Sequence, residues 1–438
     1  MTVFHRSRRG FLEKAISFFA FVVLWPLRTI KTHAQQAQDS TGPAPAPLRL
    51  PAVPNGIPAV SVSPCENYDL ETVYKAVKKA LDDIGYSVPV NKRVLIKPNI
   101  MAQNAPSQHA TTHPAVVDAL CRIFTGAGCG ITIGDSSAFY QKGGTLGGMR
   151  TTGMAAVAAK YGAQVLAFEK TAVRKITAGA VLNPFWITRA LFDHDVVVDV
   201  PKLKVHQLAR YSGAIKNMYG CVPGGAKQVY HEKFQNRPDY KEFWGGPLVD
   251  VFLAAGPDLS VMDAVYGLDK DGPAATGTPR YTGVILASVN APALDVVACR
   301  MVGFDPRWAP AVRAALERGL ADENKITVFG TVPSIPYVKL PDPKPGKPGS
   351  FHLDDYMFHQ VIMTPVVSPS RCPKGCSACV PVCGPGAISL GKNGAPVIDY
   401  TICIRCYCCA EQCPRQAISL KGGFLNHVIQ GVRRVMKI

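Results

Sequence analysis

Two runs of four cysteines near the carboxyl end of the chain are spaced for metal binding. Nine of the 14 cysteines fall between Cys372 and Cys413. A secreted protein held by disulfides spreads its cysteines over the chain, whereas this crowding indicates a metal site. The spacing of the later run, with gaps of two, two and three residues and a following proline, is typical of cysteines that bind [4Fe–4S] clusters. This run comprises Cys403, Cys406, Cys409, Cys413 and Pro414.

The earlier run repeats this pattern with two departures. Its gaps are three, two and three residues, and Gly384 stands where a proline usually follows. The repeat continues past the cysteines, since Ala-Ile-Ser-Leu occurs at 387–390 and again at 417–420. Two tandem copies of this kind resemble the two-cluster bacterial ferredoxins. The earlier run comprises Cys372, Cys376, Cys379 and Cys383.

In two-cluster ferredoxins the fourth cysteine of each run binds the cluster of the other run. We therefore expect two [4Fe–4S] clusters as cofactors. Cluster 1 is predicted to bind Cys372, Cys376, Cys379 and Cys413. Cluster 2 is predicted to bind Cys403, Cys406, Cys409 and Cys383. Structural zinc and a three-iron cluster in the first copy are the alternatives, although zinc sites usually join two separated C-x2-C pairs. The surplus Cys408 is interpreted as a thiol beside the cluster.

A second candidate site is formed by polar residues that follow predicted strands in the middle of the chain. Ligands of open α/β sheets bind beyond the carboxyl ends of the strands. Ammonium groups, together with backbone N–H groups exposed near glycines, suit a small anionic substrate or cofactor. The alternative is that these lysines lie in solvated surface loops. No catalytic residue is predicted, and the candidate binding residues are Lys97, Asp135, Lys202, Lys204, His206, Lys216, Asn217, His231 and Asp263.

The elements that would position these residues alternate between strand and helix. Short apolar runs predict strands at 94–97, 131–133, 164–168, 196–200, 259–262, 284–287 and 326–329. Helices are predicted at 115–125, 154–161, 293–302 and 309–320. This alternation predicts an α/β fold with a largely parallel sheet and flanking helices. A small α+β ferredoxin-like domain with two clusters would follow it. The chain has no G-x-G-x-x-G turn of a nicotinamide site, no Walker A loop and no G-x-S-x-G elbow.

Several sequence strings are similar, in content and order, to a known family. They follow one another across about residues 90–310: VLIKPNI, ATTHPAVVDAL, GDSSAFY, PKLKVHQLARYSGAIKNMYGCVPG and DLSVMDAVYGLDKDGP. The chain thereby resembles the family named domain of unknown function 362 (DUF362). The resemblance implies an α/β domain and, in many members, an attached ferredoxin-type module. It implies no specific reaction.

The first 34 residues have the features of an export signal. The string Ser7-Arg8-Arg9-Gly10-Phe11-Leu12 precedes an apolar run from Ala15 to Leu27. This matches the twin-arginine pattern of proteins that fold before export. A short N-terminal anchor or a plain basic start is the alternative. Because iron–sulfur clusters are built inside the cell, we expect export of the folded protein to the periplasm, with a membrane tether if the signal is not cleaved.

Proline-rich segments divide the rest of the chain. No apolar run reaches the roughly 18 residues of a membrane-spanning helix. The predicted organisation is a signal at 1–34, a linker at 35–64, the α/β domain at 65–333, a second linker at 334–350, the ferredoxin domain at 351–422 and a basic amphipathic tail at 423–438.

The chain is basic, with 48 Lys plus Arg against 31 Asp plus Glu and a net charge of +17. Part of this excess belongs to the export signal, and part offsets the thiolates of the clusters. No basic platform with interleaved aromatic residues supports nucleic-acid binding. We therefore expect a redox protein partner that is acidic or membrane-bound, and peripheral membrane contact through the N-terminal segment or the tail is a further option.

The predicted function is that of an exported iron–sulfur protein that transfers single electrons through its two clusters, coupled to the α/β domain. The alternative is an oxidoreductase whose α/β domain binds a small anionic substrate or cofactor and receives electrons from the clusters. The chain is thus either an iron–sulfur oxidoreductase or an electron-transfer subunit.

Overall fold

The computed structural model describes residues 56–137, 143–206, 209–235, 239–270, 277–339, 363–373, 375–391 and 394–422. The predicted export signal and the predicted tail at 423–438 lie outside these residues, as do most of the two predicted linkers. Within the described ranges, no helix has both the length and the hydropathy needed to cross a bilayer.

The centre of the fold is a ten-stranded sheet. Its strands are β1 (Ala59–Pro64), β2 (Arg93–Pro98), β3 (Gly130–Asp135), β4 (Gln164–Ala167), β7 (Val196–Val200), β8 (Lys202–His206), β9 (Arg210–Ser212), β10 (Leu259–Asp269), β11 (Thr278–Ser288) and β12 (Thr327–Phe329). They lie in the order β12-β1-β11-β10-β7-β2-β3-β4, with β8 beside β10 and β9 beside β8. The strands from β10 to β4 pair in parallel, whereas β11 is antiparallel to both of its neighbours. A separate hairpin consists of β5 (Val173–Ile176) and β6 (Phe185–Thr188).

Helices cover both faces of this sheet. They are α1 (Leu70–Asp83), α2 (Pro114–Gly126), α3 (Gly144–Thr151), α4 (Met154–Lys160), α5 (Ala214–Asn217), α6 (Ala226–Gln235), α7 (Tyr240–Phe243), α8 (Gly245–Ala255), α9 (Ala291–Met301) and α10 (Pro310–Glu317). Successive side chains of a strand point to opposite faces. Accordingly Val94 and Ile96 of β2 pack in the core shared with α1 and α2, and Leu95 packs in the core shared with α8 and α9. The predicted α/β fold with a largely parallel sheet and flanking helices is confirmed.

Two segments differ from the sequence-based expectation. The end of the predicted linker at 35–64 is β1, in which Val60 and Val62 are buried and which pairs with β11 and β12. Its prolines stand before the strand and at its last position, Pro58 and Pro64, where no ladder hydrogen bond is lost. The lysine-rich segment after β7 was expected to be a loop, but residues 202–206 form a buried strand.

The cysteine-rich end contains two small antiparallel sheets. One pairs β13 (Thr364–Val367) with β16 (Ile418–Lys421), and the other pairs β14 (Ile388–Leu390) with β15 (Pro396–Ile398). A short helix, α11 (Cys408–Glu411), precedes β16. The repeated Ala-Ile-Ser-Leu segments thus end in equivalent strands, β14 and β16.

The position of α5 depends on Asp295, a buried residue of α9. Its carboxylate accepts hydrogen bonds from the Tyr211 hydroxyl at 3.0 Å and from the backbone N–H groups of Ala214 and Ile215 at 2.8 and 3.0 Å. We predict that Asp295→Ala lowers the free energy of unfolding by about 2–4 kcal/mol, because three buried donors lose their acceptor. Urea denaturation measures this loss. The matched variant of an exposed carboxylate, Asp82→Ala, should change stability by less than about 1 kcal/mol, and equal losses in the two variants would contradict the assigned role.

Candidate functional site

Buried charged residues converge where the central strands end. Lys97, in β2, forms an ion pair with Asp135, at the end of β3, with 2.8 Å between Nζ and Oδ1 and at most 3% of either side chain exposed. A Cβ at Gly220 would lie 2.5 Å from Asp135 Oδ1 and 2.7 Å from Lys97 Nζ. Glycine is therefore required there, and its backbone closes this ion pair off from solvent. Burial lowers the pKa of Lys97, but the carboxylates of Asp135 and Asp199 outweigh that effect and raise it overall.

A hydrogen-bonded chain links the next two predicted residues. Lys204 Nζ donates to Asn99 Oδ1 at 2.6 Å, and Asn99 Nδ2 donates to Asn217 Oδ1 at 2.8 Å. Asn217 Nδ2 in turn donates to Asp199 Oδ1 at 2.7 Å. Burial raises the pKa of Asp199 to about 8, although the Lys97 ammonium opposes the shift. Lys204 and Asn217 therefore belong to one network with Asn99 and Asp199.

A third group of buried polar residues lies beside this network, and its members were not among the predicted binding residues. Lys227 Nζ donates to the carbonyl and hydroxyl oxygens of Ser136 at 2.7 and 2.8 Å. The Ser136 hydroxyl donates to Glu169, which is buried, and burial raises the pKa of Glu169 despite the nearby Lys227 ammonium. The position of Glu169 in the sequence could have revealed it. Glu169 lies two residues after the end of β4, and the other candidates were chosen because they also follow strands.

Lys216 is the member of the site whose charge is least compensated. The residue is partly buried, and within the described part of the chain its ammonium has no hydrogen-bond acceptor. Burial and the like charges of Lys97 and Lys227 lower its pKa to about 8. Burial and the ammonium groups of Lys216 and Lys202 likewise lower the pKa of Lys204. This end of the sheet is therefore positively charged and has an unused donor, which suits an anion.

Lys202 and Asp263 form a separate cluster whose hydrogen bonds are satisfied internally. Lys202 Nζ donates to Asp263 Oδ2 and to the Tyr68 hydroxyl, both at 2.9 Å, and Tyr68 donates to Asp263 Oδ1 at 2.8 Å. The Tyr68 ring stacks on His113 with 3.6 Å between the ring centroids. This arrangement ties β8 and β10 to the loop before α1.

The two predicted histidines lie in different elements. His206 ends β8, and its Nδ1 accepts a hydrogen bond from the backbone of Ala209 at 3.1 Å. His231 lies in α6, and its side chain is outside the described part of the chain. The alternative of solvated surface lysines is wrong for Lys97, Lys202 and Lys204, which are at most 2% exposed.

Four cysteines from both runs surround one cavity. Cys383 of the earlier run lies there with three cysteines of the later run, and the space between the lining residues measures about 340 Å³, including the part that is open to solvent. Those lining residues are Cys383, Cys403, Cys406 and Cys409 with Pro365, Val382, Pro385, Ile388, Ile398, Ile404 and Tyr407. We call these four cysteines the inner set.

The other four cysteines also gather across the two runs. Burial raises the pKa of the Cys372 thiol, and its neighbours Cys376 and Cys413 raise it further. Burial and the same neighbours raise the pKa of Cys379. We call Cys372, Cys376, Cys379 and Cys413 the outer set. The described residues contain no group of three or more His, Cys, Asp or Glu side chains that could hold a metal ion.

Backbone amides donate to one cysteine of each set in the same way. The N–H of Ala387 donates to Cys383 Sγ, and the N–H of Ala417 donates to Cys413 Sγ, both at 3.2 Å. In each case the donor lies four residues after the acceptor, so the two sequence copies are also alike in this contact. Sulfur accepts such bonds best as a thiolate, the form that binds metal.

The later cysteine run packs directly on the lysine-rich end of the sheet. A Cβ at Gly224 would lie 2.3 Å from the Cys406 carbonyl oxygen, and one at Gly225 would lie 2.2 Å from the Tyr407 hydroxyl. The Gly224 backbone also has a φ of +56°, which favours glycine. Its N–H donates to Ser136 Oγ at 3.1 Å. The inner set and the lysine groups are therefore joined through Ser136.

Comparison with known proteins gives one family and one curated relative. Residues 94–300 match the family described as domain of unknown function (DUF362). The chain is 30% identical over 267 residues to thylakoid-associated protein sll1697 of Synechocystis sp., an alignment that covers 60% of this chain and 80% of the relative.

Two solved structures share a weaker likeness. The lactate racemase apoprotein from Thermoanaerobacterium thermosaccharolyticum has a TM-score of 0.36 at 14% identity, covering 59% of this chain and 58% of that one. A protein from Thermotoga maritima has a TM-score of 0.35 at 13% identity, covering 58% of this chain and 60% of that one. This chain therefore spans less than two thirds of either structure.

The buried charge of Lys216 should make stability depend on pH. The unfolded chain keeps this proton up to the ordinary pKa of 10.5, whereas the folded protein loses it near pH 8. Between these values the unfolded chain binds more protons, so this contribution to stability rises with pH. Below pH 8 the buried charge costs up to about 3 kcal/mol. We predict that Lys216→Met raises the urea midpoint at pH 7 and raises it less at pH 10.

The matched control for this prediction is Lys325→Met, at a residue whose side chain is 72% exposed. It should change the urea midpoint equally and slightly at both pH values, because an exposed ammonium pays no desolvation cost. A loss of stability in Lys216→Met at pH 7, or an effect that does not vary with pH, would show that the Lys216 charge is compensated in the free protein.

Proposed function

The chain belongs to the DUF362 family, whose description names no reaction. We propose that it transfers single electrons through two [4Fe–4S] clusters. The observation that carries this proposal is the cavity of the inner set. Cys383 stands twenty residues before the other three cysteines, yet all four thiols line one space. This is the crossed arrangement expected of two ferredoxin-type cysteine runs.

The residues around the inner set fit such a cluster. Apart from the four cysteines, the lining consists of proline and isoleucine residues, Val382 and Tyr407. These side chains are apolar apart from the Tyr407 hydroxyl, and the Ala387 amide supplies a hydrogen bond to the Cys383 sulfur. Exclusion of water and hydrogen bonds to sulfur are the protein's means of setting a cluster's potential. A bound [4Fe–4S] cluster supplies reversible one-electron transfer, whereas these residues hold it and control its surroundings.

We propose further that the protein acts outside the cytoplasm on an acidic or membrane-bound redox partner. The twin-arginine pattern at residues 7–12 supports export of the folded chain. Exposed Arg371 and Arg415 lie beside Cys372 and Cys413 and would attract an acidic surface. The relative from Synechocystis sp. is named as thylakoid-associated, which is consistent with work at a membrane face.

A second candidate function is an oxidoreductase with an anionic substrate at the lysine-rich end of the sheet. It rests on the Lys216 ammonium, which has no acceptor among the described residues, and on the surrounding positive charge. We predict that inorganic phosphate or acetate raises the melting temperature of the protein and that Lys216→Gln abolishes this rise. Lys325→Gln should keep it. No rise with any small anion would leave electron transfer as the function of the chain.

Iron analysis and electron paramagnetic resonance test the electron-transfer proposal. Anaerobically reconstituted protein should contain about eight irons per chain and give two reduced-cluster signals. Because the sets are crossed, Cys383→Ser should remove the same signal as Cys403→Ser, and Cys413→Ser the same signal as Cys376→Ser. Cys408→Ser, a change of a buried thiol in the same loop, should keep both signals. Stoichiometric zinc, or signals that follow one run each, would contradict the proposal.

A further inference from the structure

We propose that the two cysteine sets have different roles: the outer set receives electrons from an external acidic carrier protein, and the inner set, which packs against the lysine-rich end of the sheet, accepts them from the outer set. This inference rests on the proposed function. The reduced one-electron carrier gives up one electron at the outer set, and that electron passes to the inner set. The carrier is oxidised and the inner cluster is reduced, while no bond forms or breaks and no proton is transferred.

The first observation is the packing of the later run. Ile404, Cys406 and Cys408 belong to the same buried core as the α/β domain, and all three are at most 8% exposed. Cys379 of the outer set packs instead in a small core formed within the cysteine-rich end. One inner cysteine, Cys406, is thus built into the main core of the α/β domain, whereas Cys383, Cys403 and Cys409 share the small core with Cys379 and Cys413 of the outer set.

The second observation is a set of contacts between residues beside the inner set and the α/β domain. Past Cys383, a Cβ at Gly384 would lie 2.5 Å from the Val173 side chain in β5. Past Cys409, the Glu411 carboxylate accepts a hydrogen bond from the backbone N–H of Gly143 at 2.8 Å. Residues on both sides of the inner cavity therefore touch the α/β domain, which holds this cavity at one distance from the sheet.

The third observation is the short connection from Cys406 to the lysines. The Cys406 carbonyl lies against Gly224, the Gly224 N–H donates to Ser136 Oγ, and Lys227 donates to the same oxygen. Positive charge stabilises the more negative, reduced form of a cluster. The buried Lys227 should therefore raise the potential of the inner cluster more than Arg371 and Arg415, which are exposed and screened by solvent, raise that of the outer cluster, so that electrons move inward.

The fourth observation concerns access to the outer set. Cys372, Cys376 and Cys413 are each partly exposed, and Arg371 and Arg415 beside them are exposed. An external carrier can therefore approach this set, and two guanidinium groups favour a carrier with an acidic surface. In the inner set, Cys406 and Cys409 are buried and only Cys383 and Cys403 are partly exposed.

A redox titration followed by electron paramagnetic resonance tests this order in the full chain. Each signal is first assigned by its loss in Cys383→Ser or in Cys376→Ser. Lys227→Gln should move the midpoint potential of the inner signal to a more negative value and leave the outer one unchanged. Lys325→Gln, which removes an exposed lysine, should move neither. A shift of the outer signal alone, or equal shifts of both, would overturn the proposal.

A second measurement uses the unmodified protein and so does not depend on the folding of a variant. A soluble gadolinium chelate speeds the spin relaxation of paramagnets that it can approach. It should relieve the microwave power saturation of the outer signal more than that of the inner signal, and the reverse order would overturn the proposal. If neither signal forms on reconstitution, the proposed electron transfer itself fails. That result differs from one in which both signals form but the inner signal is the more accessible to the chelate.

Discussion

The close contact of Cys406 and Tyr407 with Gly224 and Gly225 makes the cysteine-rich end part of the α/β domain. Side chains at either glycine would collide with the later cysteine run, at 2.3 and 2.2 Å. Because the backbones meet there, Cys406 enters the main core, and the N–H of Gly224 reaches Ser136. The position of the inner cavity and its distance from the lysines follow from this contact.

Buried charge is the second constraint on the structure. Charged groups leave water only at a cost, and that cost is met here by ion pairs such as Lys97 with Asp135 and by the chain from Lys204 to Asp199. Lys216 is the exception, since it has no acceptor within the described residues and two like charges nearby. A site that keeps such a charge gives up stability, which is a common sign of function.

Much of the fold could be predicted because parallel strands buried on both faces are continuous apolar runs, as at Val196–Val200. The strand β8 could not be predicted, since buried lysines are rare and alternate residues of Lys202–His206 are charged. The contacts of Glu169 likewise depend on residues far away in sequence. The crossed cysteine sets were expected from spacing alone. Their binding of clusters remains a prediction, although Cys383 and the later run do line one cavity.

Anomalous diffraction at the iron edge, from crystals of the anaerobically reconstituted full chain, tests the central claim most directly. Two separate iron peaks are predicted, one enclosed by the inner set Cys383, Cys403, Cys406 and Cys409, and the other by the outer set. The peak of the inner set should lie against Gly224, on the side of the lysines. Peaks each enclosed by the four cysteines of a single run, or a signal at the zinc edge in their place, would contradict the account.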